Sequence, residues 1–133
     1  MKVLLVEDDE LVRTTLVDML IDAGFEVTEA ASPEEALDGD GAIEPPTVLI
    51  TDIDLGSSLN GFDVAAAAHR LWPAVSVLYI SGLPFTRKGQ ELGPRHSYLS
   101  KPFSGNSLLK AINELLRDKV ANGETATRTA STR

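Results

Sequence analysis

Short aliphatic runs of strand length alternate along the chain with stretches in which apolar residues recur at helical spacing. Lys2 to Val6 is the first such run, and it ends abruptly in Glu7, Asp8, Asp9 and Glu10. Asp9 is placed to cap a helix whose apolar positions are Leu11, Val12, Leu16, Met19, Leu20 and Ala23, and Gly24 is placed to stop it. Phe25 to Ala30 alternates apolar with polar residues, which predicts a half-exposed strand near a sheet edge. Ser32-Pro33-Glu34-Glu35 announces a second helix. The serine caps it, the proline fills the first turn where no amide hydrogen is needed, and the glutamates meet the positive end of the dipole. Gly39, Gly41 and Pro45-Pro46 keep that helix short. Thr47 to Asp54 opens on an uninterrupted aliphatic run, the pattern of a central strand buried on both faces.

A loop from Leu55 to Gly61 leads to a third helical pattern over Phe62 to Leu71, read from Phe62, Ala65, Ala66 and His69 or Arg70, and closed by Trp72-Pro73. His69 reads as a boundary residue with nothing nearby to partner it. Val75 to Ile80 is the next strand, ending in Ser81-Gly82. Between Leu83 and Ser97, four Pro and Gly residues leave room only for a short, mobile helix around Thr86 to Leu92. Ser97 to Ser100 predicts a fifth strand, followed by Lys101-Pro102-Phe103, where Pro102 is a candidate for a cis bond. Ser104 caps a final helix with the stripe Leu108, Leu109, Ile112, Leu115 and Leu116. From Ala121 to Arg133 there is no apolar period, which predicts a disordered tail after a domain spanning residues 1–120.

Five strands alternating with helices predict an α/β domain with a doubly wound, mostly parallel sheet and right-handed crossovers. The length of 133 residues and 43% hydrophobic content suit one such core and leave no room for a second catalytic domain. A net charge of -8 and twelve scattered basic residues argue against nucleic-acid binding. With no cysteine and two histidines, a metal here is a hard cation held by oxygen. The amino terminus is too short for a signal peptide or a membrane span, so a soluble cytoplasmic protein is expected.

Parallel strands deliver their carboxyl ends to one rim, where an open sheet collects its ligands. That rim gathers Glu7, Asp8, Asp52, Ser81 and Lys101. Each has an ordinary explanation, a turn start for Asp52 and Ser81 or a helix-start cluster for the acids, but four strand ends carrying reactive groups point to one site. Three crowded carboxylates repel unless a cation sits among them, and an all-oxygen site suits Mg²⁺. With a lysine and a hydroxyl beside it, such a site clamps a phosphoryl group, and a carboxylate is the acceptor.

These residues resemble the receiver domain of bacterial two-component response regulators (CheY-like), from about Lys2 to about Val120. The likeness lies in the acidic pair after the first strand, Asp52 after the third, Ser81 before a small residue after the fourth, and Lys101-Pro102-Phe103 after the fifth. It implies a flavodoxin-like five-stranded parallel sheet in the order 2-1-3-4-5. It implies Asp52 as phosphoacceptor, served by a phosphohistidine on a sensor histidine kinase or histidine phosphotransfer protein. Asp8 and Asp52 would bind Mg²⁺ directly, Glu7 mainly through water, and the Asp54 carbonyl would complete the protein ligands. Lys101 and Ser81 would hold phosphoryl oxygens, and Ser81 with Tyr98 would form the switch behind an output face made by the fourth helix, fifth strand and last helix. Gly56 stands where many receivers have proline, and Leu83 and Asp54 fall where the family tunes hydrolysis.

Taken as complete, the chain is a stand-alone receiver, monomeric or weakly dimeric, that acts through an unidentified output protein without binding DNA and catalyses only its own phosphotransfer and slow dephosphorylation. A receiver cut from a hybrid kinase or longer regulator reads the same way. The other classes are a haloacid-dehalogenase-type phosphohydrolase, from the Asp52-Ile53-Asp54 spacing, and a receiver used only for protein contact.

Overall fold

The computed structural model describes residues 1–37, 45–56, 58–82 and 96–121, with side chains described as far as 117. In chain order the elements are β1 (Lys2–Val6), α1 (Glu10–Asp22), β2 (Glu26–Ala30), α2 (Pro33–Leu37), β3 (Val48–Asp52), α3 (Gly61–Leu71), β4 (Ser76–Ser81), β5 (His96–Ser100) and α4 (Gly105–Ala121). All five strands pair in parallel in the order β2-β1-β3-β4-β5. The aliphatic run of β3 is central and buried throughout, and alternating β2 is an edge strand. The helix expected around residues 86–92 lies outside the described residues, as does the tail expected from residue 121 apart from Ala121 itself, which closes α4.

The strand period of two divides the core into two clusters, one on each face of the sheet. Leu4, Val6, Leu49, Val77 and Tyr79 join Ala36 of α2 and Val64, Ala65 and Ala68 of α3 on one face. Val3, Leu5, Val48, Ile50, Leu78 and Ile80 join Leu16 and Leu20 of α1 and Leu108, Ile112 and Leu115 of α4 on the other. Each enclosed aliphatic side chain contributes roughly 1.5–3 kcal/mol.

The helix ends follow the capping residues. Asp9 accepts from the Val12 amide, Ser32 Oγ from the Glu35 amide, and Ser104 Oγ from the Ser107 amide. Asn60 and Asp63 cap α3 reciprocally, and Gly24 takes a φ of 95° just past α1. Two helix faces differ from the expected ones. Leu11, placed in the apolar stripe of α1, is 77% exposed. The buried face of α3 is Gly61, Val64, Ala65 and Ala68 rather than one through Ala66, because a run of four alanines carries no phase of its own and the Asn60 cap sets it. His69 does have a partner: its Nε2 lies 2.8 Å from Nε2 of His96. Sequence distance concealed this pair, which α3 and β5 bring together.

Candidate functional site

β1, β3, β4 and β5 end at one rim, with Asp52 in register with Ile80 and Ser81 with Ser100. Glu7, the first residue past β1, is fully enclosed. Its amide donates to the Ala30 carbonyl at 3.1 Å, and its Oε2 accepts from the Asp9 amide at 3.0 Å. Arg13, one turn into α1, donates from Nη1 to the Glu7 carbonyl at 2.9 Å and from Nε to Glu29 at 3.1 Å, so the end of β1 is braced from two elements.

Asp52 is 5% exposed. Its Oδ1 accepts from the Asp54 amide at 3.0 Å and its Oδ2 from Lys101 Nζ at 2.7 Å. The same ammonium donates to Glu7 Oε1 at 3.1 Å. Lys101 is anchored by its own amide, which donates to the Ser81 carbonyl at 2.7 Å, and the Lys101-Pro102 bond is cis. Asp8 is exposed, and one carboxylate oxygen each from Glu7, Asp8 and Asp52 lie within 4.8 Å of one another. An oxygen triad of that size suits a hard divalent cation. Ser81 is buried at the same rim. Tyr98 sits half-buried on the α3 face of the edge strand β5, with its hydroxyl 3.4 Å from Ser100 Oγ. Asp54 is exposed, and its amide is the part that touches Asp52.

Two glycines shape the pocket wall. Gly56 has a φ of 61°, and a Cβ there would lie 3.1 Å from Asp8 Oδ2. A proline, with φ held near about -65°, does not fit this backbone, so the glycine goes with a different loop path. Gly61 is tighter still, since a Cβ would meet the Asp52 carbonyl oxygen at 2.4 Å and Ile53 Cα at 2.8 Å. Sequence reasoning passed over both Gly61 and Arg13. A glycine after an Asn cap looks like loop punctuation, and an arginine inside a helix gives no sign that it folds back onto a strand end.

Burial pushes the Glu7 carboxyl up to about 7, with the Asp52 charge adding to it; hydrogen bonds from the Asp9 amide and Lys101 oppose the rise without cancelling it. Burial alone would lower the Lys101 ammonium, but its hydrogen bonds and charge contacts with Asp52 and Glu7 outweigh that and hold it above its ordinary value. Between 4.5 and about 7 the folded protein therefore binds a proton on Glu7 that the unfolded chain has released. Stability from this group falls as pH rises through that window. Metal-free protein is expected to lose, between pH ~5.5 and ~8, on the order of 2 kcal/mol relative to Glu7→Gln. Parallel thermal unfolding curves for the two proteins at both pH values would contradict this.

Solved structures with the same architecture define the class. A response regulator receiver protein from Sinorhizobium medicae WSM419 matches with a TM-score of 0.79 and 29% identity over 90% of this chain and 96% of that one. The chemotaxis protein CheY4 of Vibrio cholerae matches at 0.76 and 29%, over 86% and 97%. The fold and its acidic rim are those of a CheY-like receiver. The sequence matches the response regulator receiver domain family over residues 3–113, and the chain belongs to that family, whose members serve two-component signalling.

Among curated relatives, the transcriptional regulatory protein PdtaR of Mycobacterium tuberculosis (strain CDC 1551 / Oshkosh) is 32% identical over 114 residues, covering 84% of this chain and 54% of that protein. The response regulator receiver protein CpdR of Brucella abortus (strain 2308) is 32% identical over 120 residues, covering 86% and 96%. The chain thus spans about half the length of PdtaR and nearly all of CpdR. Receiver domains generally bind Mg²⁺ at an acidic pocket, and membership implies a histidine kinase or phosphotransfer partner. Among the described residues no helix is long and apolar enough to cross a membrane.

Proposed function

We propose that Asp52 accepts a phosphoryl group from a phosphohistidine on a sensor histidine kinase or phosphotransfer protein, with Mg²⁺ held at Glu7, Asp8, Asp52 and the Asp54 carbonyl. The observation that carries this reading is the reach of Lys101, whose ammonium contacts Asp52 at 2.7 Å and Glu7 at 3.1 Å inside the carboxylate triad. An Asp52 oxygen bonds to phosphorus as the P–N bond breaks, and the electron pair returns to the donor imidazole. Lys101 then follows the charge onto a phosphoryl oxygen, and the Ser81 hydroxyl donates to another. Mg²⁺ held by Glu7, Asp8 and Asp52 would neutralise the crowded carboxylates and the charge of the phosphoryl group. The added charge of about -1.5 to -2 draws Ser81 inward and gives Tyr98 room to follow, which alters the β5 face read by an output protein.

The protein acts on no other substrate in this reading. It changes only its own phosphorylation state, as a monomer or weak dimer without nucleic-acid or membrane contact, in the cytoplasm. Acetyl phosphate with Mg²⁺ is expected to add one phosphoryl group by intact mass, and chelation with EDTA to prevent it. An unchanged mass under saturating donor and metal would sink the proposal.

The phosphodonor approaches over an apolar groove of about 340 Å³ that opens beside the site, lined by Leu11, Val12, Leu16 and Met19 of α1 and by Lys101 and Phe103. Leu11 is exposed there with no core to serve, and Lys101 belongs to both groove and pocket, so a helix seated in the groove carries its phosphohistidine to Asp52. Leu11→Asp is expected to slow transfer from any competent kinase in an autophosphorylated panel by roughly tenfold or more. Labelling by acetyl phosphate, which needs no docking, should be unchanged. Equal slowing of both reactions would place Leu11 in the fold rather than at an interface.

A further inference from the structure

At the other end of β5 from Lys101, the two histidines of the chain meet. Their rings are nearly parallel, at 3°, with centroids 4.9 Å apart and Nε2 atoms 2.8 Å apart. The nitrogen separation is shorter than the centroid separation by nearly the sum of the two ring radii. The rings therefore lie edge to edge in a common plane, joined by an N–H···N hydrogen bond, and are not stacked face to face. The other nitrogen of His96, Nδ1, lies 3.1 Å from the hydroxyl of Tyr79 on β4. That tyrosine packs its ring on Phe62 of α3 at a centroid distance of 4.8 Å and stands in register with Tyr98 on β5.

We propose that His69 and His96 form a proton-sharing latch between α3 and β5, and that through Tyr79 it positions the β4–β5 face on which Ser81 and Tyr98 rearrange. The second half rests on the receiver reading of that face. Counting protons shows how the latch responds. Two neutral imidazoles place one hydrogen between the Nε2 atoms and one at an outer nitrogen, either on His69 Nδ1 or on His96 Nδ1 facing Tyr79. A third proton fills both outer positions and leaves the central bond intact but charge-assisted, which strengthens it. It also makes the Tyr79 oxygen the acceptor in its bond with His96 and turns the Tyr79 hydrogen away. A fourth sets two N–H groups and two like charges head to head, and the rings must part.

Tyr79 keeps its own hydrogen throughout, since burial pushes its hydroxyl up to about 12, so it responds by rotating. Among the described residues, the titratable or charged groups near the pair are Tyr79 on β4, Tyr98 on the same face of β5, and Arg70, which follows His69 on α3 and is exposed. Inward movement of Tyr98 needs space beside the Tyr79 ring, and a tight latch withholds it.

A double-mutant cycle with His69→Ala and His96→Ala reads the latch directly. The coupling in the unfolding constant is expected to be about tenfold near pH ~6 and about threefold near pH ~8, and to vanish near pH ~4.5. Ring-nitrogen NMR of the wild-type protein gives the same answer without a variant, since linked titration of the two rings is expected. Coupling independent of pH, or two independent titrations, would overturn the latch.

For the switch, the affinity of beryllofluoride with Mg²⁺ for wild type, relative to the double variant, should fall severalfold from pH ~8 to ~6. Tyr79→Phe should remove that pH effect while keeping the histidine coupling. A constant ratio refutes the link to the switch. If neither protein binds the phosphoryl mimic at any pH, the receiver reading has failed, and the histidine cycle still decides the latch.

Discussion

Asp52→Asn is expected to take up no phosphoryl group under conditions that label the wild type fully. Replacing the carboxylate removes the nucleophile, because a carboxamide oxygen carries no charge to form the acyl phosphate and its nitrogen is a poor substitute. No other carboxylate in the pocket stands in for it. Glu7 is enclosed, held by the Asp9 amide and Lys101, and poised to carry a proton near neutrality, while Asp8 is exposed and has no such lysine contact among the described residues. The substitution keeps shape and leaves Oδ1 able to accept from the Asp54 amide, but it sets an NH2 group where Oδ2 accepted from the Lys101 ammonium. It also removes a charge that raises Glu7. Relief of the Glu7–Asp52 repulsion offsets part of the lost Lys101 contact, so stability should fall by no more than about 2 kcal/mol, and cooperative unfolding of the variant will show that the lost labelling is not a folding defect. Labelling of Asp52→Asn at the wild-type stoichiometry would show that the acceptor is elsewhere.

Gly61→Ala should cost about 3 kcal/mol of stability, at the upper end for overpacking. The new methyl would sit 2.4 Å from the Asp52 carbonyl oxygen and 2.8 Å from Ile53 Cα, and both are backbone atoms that cannot rotate aside. Gly61 also donates its amide to the Ile53 carbonyl at 2.8 Å, so α3 starts against the peptide that follows the acceptor. Relief requires moving either the helix or the β3 end. A lower denaturant midpoint with unchanged slope, together with slower labelling by acetyl phosphate, is the expected pair of results. A midpoint within error of wild type would mean that the β3–α3 junction yields easily, and the steric account would be wrong.

The sheet was legible because its strands differ in kind. β3 opens on an uninterrupted aliphatic run, β4 is mostly apolar and edge β2 alternates, so period and composition located both the centre and the border. The convergence of Glu7, Asp8, Asp52 and Lys101 followed from topology, since parallel strands leave no choice of rim. Tertiary placement was harder to read. Leu11 has the spacing of a core residue and lies at a groove. His69 and His96 are 27 residues apart, and nothing local announces that a helix end and a strand start will meet. Gly61 carries its meaning in what it lets approach, which no pattern of apolar positions encodes.

On the proposed function, the two clusters on opposite faces of the sheet separate listening from speaking. The groove proposed to receive a donor is lined by α1 and the turn from Lys101 to Phe103, on the face of the sheet that α1 and α4 cover, whereas Tyr79, Tyr98 and the histidines belong to the α3 layer. Among the described residues, Lys101 joins the two, lining the groove and reaching Asp52 at the rim. If the proposed docking holds, rewriting the exposed residues of α1 would redirect the protein to another kinase while the message it passes on stays the same.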